Sequence, residues 1–133
     1  MTRVAVLLAS LALAGCGTAP AQRAQSVEAG AEVTLAPGEA VSLGSSDLTV
    51  RFLAVSADSR CPRDVQCIWA GEVKVQLEIE DGRARSKVEV IGGSNAVSGD
   101  WRVTLVRVDP QTSSTSKIAP AGYRATIKVE KGG

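Results

Sequence analysis

From residue 31 onward, apolar and polar residues alternate in short runs separated by turn-forming residues, the period-two pattern of half-buried β-strands. Runs over 31–35 and 40–43 flank the turn Ala36-Pro37-Gly38-Glu39, and a third, 48–56, follows the breaker Gly44-Ser45-Ser46-Asp47. In that third run Leu48, Val50 and Phe52 share one face while Leu53 and Val55 lie on the other. Such a switch of face predicts a β-bulge or a strand covered on both sides. Runs over 101–109 and 123–130 complete the set. In the last, Tyr123, Ala125, Ile127 and Val129 are expected inside, with Arg124, Thr126, Lys128 and Glu130 outside.

The clearest run lies between them. Val73, Val75, Leu77 and Ile79 alternate with Lys74, Gln76, Glu78 and Glu80, and Asp81-Gly82 follows. Asp-Gly is favoured in the two-residue type I′ hairpin turn, whose central residues both need positive φ. A turn centred on that dipeptide predicts Glu80 opposite Arg83, Glu78 opposite Arg85 and Lys74 opposite Glu89, all of opposite charge. The inward pairs would then be Ile79 with Ala84, Leu77 with Ser86 and Val75 with Val88. About seven short antiparallel strands, with no amphipathic helical pattern after residue 30, predict an all-β domain over 31–133. The expected architecture is an immunoglobulin-like β-sandwich, the alternative a small β-barrel. The Ser- and Thr-rich link 110–122 is expected to carry a Greek-key crossing between sheets.

Residues 1–15 break the β pattern. Arg3 precedes the apolar run Val4-Ala5-Val6-Leu7-Leu8-Ala9-Ser10-Leu11-Ala12-Leu13-Ala14, which is too short to cross a bilayer and has the layout of an export signal. It ends in Leu13-Ala14-Gly15-Cys16, which resembles the lipobox of bacterial lipoproteins. That resemblance implies cleavage before Cys16 and acylation of its thiol. Gly17, where an aspartate would imply inner-membrane retention in Gram-negative lipoproteins, implies the periplasmic face of the outer membrane. In a Gram-positive source the same anchor would hold the protein on the cell surface. Residues 16–30, small and polar after the cysteine, are expected to be a flexible tether.

Composition narrows the chemistry. Of 133 residues, 15 are basic and 14 acidic, and removing residues 1–15 takes away only Arg3. A nearly neutral domain has no field to draw nucleic acid, so a nucleic-acid partner is not expected. Histidine is absent, which removes the commonest general base and metal ligand. No cofactor or metal site is expected. Asp58 and Asp64 fall short of the six to eight oxygens that calcium takes. The serines have no histidine partner, and nothing singles out a carboxylate pair for glycosidase work. The chain is not expected to be an enzyme.

Three cysteines resolve once Cys16 is assigned to lipid. Cys61 and Cys67 remain, and an oxidising compartment makes them a structural disulfide. Five residues separate them, where a redox pair normally has two, and zinc would need further ligands. The surrounding segment, Asp58-Ser59-Arg60-Cys61-Pro62 followed by Cys67-Ile68-Trp69-Ala70-Gly71, resembles a widespread family of uncharacterised bacterial exported proteins and lipoproteins. That family is marked by a DSRCP segment and C-x-W-x-G, and the similarity runs from about Leu35 to Val129. The resemblance supports the fold and the disulfide but implies no reaction.

Within this motif Arg60 is expected to fork onto Asp58 or onto backbone carbonyls, and Trp69 to pack over the disulfide. Two roles stay open for it. One is a recognition loop presenting Asp58, Arg60, Arg63, Asp64 and Trp69; the other is a pinned cover closing one end of the core. The functional expectation is an envelope lipoprotein, joined to the membrane by its lipid, whose domain binds or braces another envelope protein or polymer. The alternatives are a periplasmic hydrolase inhibitor presenting the Cys61–Cys67 loop and, behind it, a carboxylate-based hydrolase.

Overall fold

The computed structural model describes residues 24–133; the expected signal peptide, Cys16 and the first part of the expected tether lie outside the described residues. The described residues form nine strands: β1 Gln25–Val27, β2 Glu32–Leu35, β3 Ala40–Leu43, β4 Leu48–Asp58, β5 Val73–Asp81, β6 Ala84–Ile91, β7 Asn95–Ser98, β8 Trp101–Asp109 and β9 Arg124–Lys131. They make a five-stranded sheet in the order β1-β3-β4-β5-β6 and a four-stranded sheet in the order β2-β9-β8-β7. Neither closes into a barrel. Of the two expected architectures, the β-sandwich is the one found.

The inner faces are those the alternation marked. Leu48, Val50 and Phe52 of β4 and Val75, Leu77 and Ile79 of β5 meet Val103, Leu105 and Ile127 of the other sheet in one buried cluster. Fully burying each such side chain stabilises the fold by roughly 1.5–3 kcal/mol. The face switch in β4 is a bulge: its pairing with β5 slips between Phe52 and Ala54 and again between Val55 and Ala57.

Several expectations need correction. The hairpin loop is Gly82-Arg83, so Glu80 faces Arg85, Glu78 faces Lys87 and Val75 faces Val90, a register displaced by two residues along β6. Only Gly82 has positive φ there (59°), so the turn has the glycine-first pattern of type II′ rather than I′. Two outward pairs are of opposite charge, and Arg85 donates to Glu80 at 2.9 Å, but Glu89 faces Gln76 and Lys74 faces Ile91. Because the displacement is even, every side chain keeps its face.

Link 110–122 does not cross between sheets, since β8 and β9 are neighbours in one sheet. Thr126 is buried although it points away from the core. It lies on a central strand beside Thr34, whose hydroxyl it meets at 2.8 Å, and opposite Arg107 on the other flank. Strand β1 lies within the stretch read as tether and pairs with β3 in parallel.

Candidate functional site

Strand β4 runs past the core and ends at Asp58, and the chain returns as β5 at Val73. Between them, 59–72 form a loop closed near its base by backbone bonds from Ser59 N–H to Glu72 O (2.8 Å) and from Cys61 N–H to Ala70 O (2.9 Å). The two arms approach so closely at Gly71 that a β-carbon there would lie 1.8 Å from the Ser59 carbonyl oxygen; Gly71 also takes φ +68°. Only glycine fits both demands. Further out, Cys61 and Cys67 form the expected disulfide, their Cα atoms 5.8 Å apart.

The loop is fastened to the opposite sheet through Arg60. Its Nε and Nη2 donate to the two carboxylate oxygens of Asp58 at 2.8 and 2.7 Å, the fork expected from sequence. The same guanidinium donates to the carbonyls of Val108 (2.6 Å) and Pro110 (3.0 Å), at the end of β8 and just beyond it. The Tyr123 hydroxyl donates to Asp58 at 3.1 Å, and Thr112 donates to the Arg60 carbonyl at 3.2 Å. Burial alone pushes the Asp58 carboxyl up. The hydrogen bonds and charge of Arg60, with the Tyr123 hydroxyl, outweigh it and hold Asp58 below its ordinary value. The Asp58 hydrogen bonds push Arg60 up, and burial followed by the Asp58 hydrogen bond pushes Tyr123 up.

The five residues expected to form a recognition loop are thus not one surface. Asp58 and Arg60, with side chains 8% and 19% exposed, face inward and spend their polar atoms on the fold. Asp64 holds the link through the Ser114 amide (2.9 Å) and hydroxyl, and these bonds draw its pKa down. Arg63 contributes its backbone amide to Thr112 O at 3.1 Å, while its side chain is exposed and forms no ion pair among the described residues.

Trp69, expected to pack over the disulfide, stands out in solvent instead. It is 82% exposed. Beside it Ile68 is 95% exposed and Val65 45%. An apolar triplet on one short loop differs from the singly scattered apolar residues of ordinary surfaces. Sequence reasoning missed Ile68 and Val65. Their signal was apolar residues between Cys61 and the start of β5, outside any period-two run.

Two clefts adjoin the loop. One, of about 630 Å³, runs between the loop arm at Ala70 and Gly71, the end of β6 at Ile91 and the bulge of β8 at Val106. Its bordering carboxylates, Glu72 and Asp109, are half exposed and paired with Lys74 and Arg107. Both are solvent-accessible ion-pair partners, and the carboxylate-hydrolase reading gains nothing from this cleft. The other, of about 530 Å³, lies under the Ser- and Thr-rich link beside Val55, Ile118 and Tyr123. Among the described residues no group of His, Cys, Asp or Glu is placed to hold a metal ion. No family model, no curated protein and no solved structure matches this chain.

Proposed function

We propose that this protein is a lipid-anchored component of the bacterial envelope whose β-sandwich is a non-catalytic contact module, with the disulfide loop as its contact surface. The observation that carries the reading is the exposure of Ile68 and Trp69 at the tip of a loop whose base is fixed by the disulfide, Gly71 and Arg60. Rigid loops on β-scaffolds present binding groups at little entropic cost. The two roles weighed for the motif divide within it. Asp58, Arg60 and Asp64 brace, and the apolar tip meets the partner.

The address is supported by the lipobox-like Leu13-Ala14-Gly15-Cys16, by Gly17 after it, and by the resemblance of the DSRCP segment to exported proteins. On this reading the protein sits on the periplasmic face of the outer membrane, or on the cell surface of a Gram-positive organism.

Intact mass of the mature protein tests the address: an acylated N-terminal Cys16 is expected, and an unmodified N-terminus at another residue contradicts it. Replacing Ile68 and Trp69 together by Ser tests the surface. The melting temperature should barely move, because exposed apolar side chains contribute little to folding, while cross-links from the loop to other envelope components should disappear. Unchanged cross-linking would exclude the tip as the contact. A hydrolase as the cross-linked species would favour the inhibitor reading.

A further inference from the structure

The two ends of the sandwich differ in chemistry. At one, the disulfide loop exposes Val65, Ile68 and Trp69. At the other, the turns 44–47, 82–83 and 99–100 come together, Gly82 N–H bonding Asp47 O and Gly99 lying against the Asp81 carboxylate. Those turns read Gly-Ser-Ser-Asp, Gly-Arg and Gly-Asp and contain no apolar side chain. Trp is the residue type most at home at a membrane–water interface, where its ring meets acyl chains and its N–H meets headgroups. Arg63, exposed and without an ion-pair partner among the described residues, adds a charge suited to headgroup phosphate.

The path of the chain points the same way. Strand β1 is parallel to β3 and therefore antiparallel to β4, so the chain reaches Gln25 from the side on which β4 ends and the loop begins. Gln25 lies level with Val50, which faces Ile79, while Asp58 faces Val73. Six residues of β5 separate those levels, roughly 20 Å. Nine peptide steps separate Cys16 from Gln25, with a maximum reach of roughly 30 Å. A cysteine acylated in the bilayer can thus stand beyond the level of Asp58, on the loop side, while the chain approaches Gln25 in the direction seen.

We infer that the tip Val65-Ile68-Trp69 seats in the interfacial layer of the same bilayer that holds the acyl chains of Cys16. The inference rests on the lipid-anchor reading and names the partner of its contact surface: a lipid surface. The lipid and the loop then form two points of attachment. The domain stands with the loop end on the membrane and the turns at 82–83 and 99–100 directed away.

The test uses the mature, acylated protein in vesicles of phosphatidylethanolamine and phosphatidylglycerol whose acyl chains are brominated near the headgroup. Trp101, which is buried, serves as the internal reference. The emission assigned to Trp69, by difference from Trp69→Phe, should shift to the blue on reconstitution and be largely lost in brominated vesicles. A reporter at the opposite end, Arg83→Trp in the Trp69→Phe background, should keep its emission.

Emission from Trp69 that stays water-like and unquenched while the protein floats with the vesicles overturns the inference. So does equal quenching at both ends. Shielding of Trp69 in native envelopes but not in lipid vesicles assigns the tip to a protein and likewise overturns it. A protein that neither floats nor carries acyl chains by intact mass shows that the anchor reading has failed first.

Discussion

Asp58 and Arg60, two residues apart where β4 gives way to the loop, form a two-point ion pair whose guanidinium also closes on the carbonyls of Val108 and Pro110 from the opposite sheet. One side chain thus ties the five-stranded sheet, the loop and the end of β8 together. Truncating either partner leaves the other charge poorly solvated, and truncating Arg60 also strands the carbonyls of Val108 and Pro110. Asp58→Ala and Arg60→Ala should each cost about 2–3 kcal/mol by urea unfolding, the range for charge-assisted bonds at partly buried sites. Their double-mutant cycle should show coupling of about 1–2 kcal/mol. Arg60→Lys should recover little, because an ammonium cannot fork onto both oxygens and still reach the carbonyls. Additive single costs would contradict this account.

The same pair sets a pH dependence. Asp58 is held below its ordinary value in the folded protein, so folding favours its ionised form. The sign is that of a depressed carboxylate. Its stabilising contribution is complete above about pH 5 and is lost as the pH falls through about 4 toward the lower folded value. The stability gap between wild type and Asp58→Asn, measured by urea unfolding, should therefore narrow as the pH is lowered from 6 to 3. A gap constant across that range would remove Asp58 from the set of ionised bracing groups.

The fork of Arg60 onto Asp58, the disulfide and the core faces of β4, β5 and β9 were legible in the sequence, because each follows from local spacing or period-two alternation. The carbonyls of Val108 and Pro110 were not, since backbone acceptors some 50 residues away carry no sequence mark. The hairpin register missed by two residues for a specific reason. Asp81-Gly82 reads as a type I′ pair, but Gly82 as the first loop residue permits a type II′ turn with equal ease. The expected register pairs three sets of opposite charges and the observed one two, so the charge pattern alone favoured the wrong register. Thr126 was placed outside on alternation alone, which does not report that a central strand is covered by its neighbours.

The corrected register is measurable. Glu80→Arg should cost a few tenths of a kcal/mol by placing like charges opposite each other, and Arg85→Glu in that background should recover most of it. Glu78 should couple to Lys87 in the same way and show no coupling to Arg85. A cycle in which Glu78 and Arg85 couple, while Glu80 and Arg85 do not, would restore the register centred on Asp81-Gly82.

Two glycines with positive φ separate backbone freedom from close approach. A β-carbon at Gly82 meets nothing within 4 Å, so Gly82→Ala should cost only about 1 kcal/mol for its conformation. At Gly71 the same methyl group falls on the Ser59 carbonyl, and the arms of the loop must part. Gly71→Ala should cost about 3 kcal/mol, conformation and crowding together, with loss of amide protection at Ser59 and Cys61. Equal costs at the two sites, by thermal unfolding, would mean that the loop arms do not meet as described.

The claim on which the functional account turns is that the tip of the disulfide loop is covered in the envelope and bare in the free domain. Hydroxyl-radical footprinting of Trp69 and Trp101, in intact envelopes and in the purified domain without its anchor, measures this most directly. Trp101 is buried in the core and should react slowly in both. Trp69 should react rapidly in the purified domain and fall toward the rate of Trp101 in envelopes. Equal, rapid oxidation of Trp69 in both preparations would contradict the account and leave the loop as a brace for the fold.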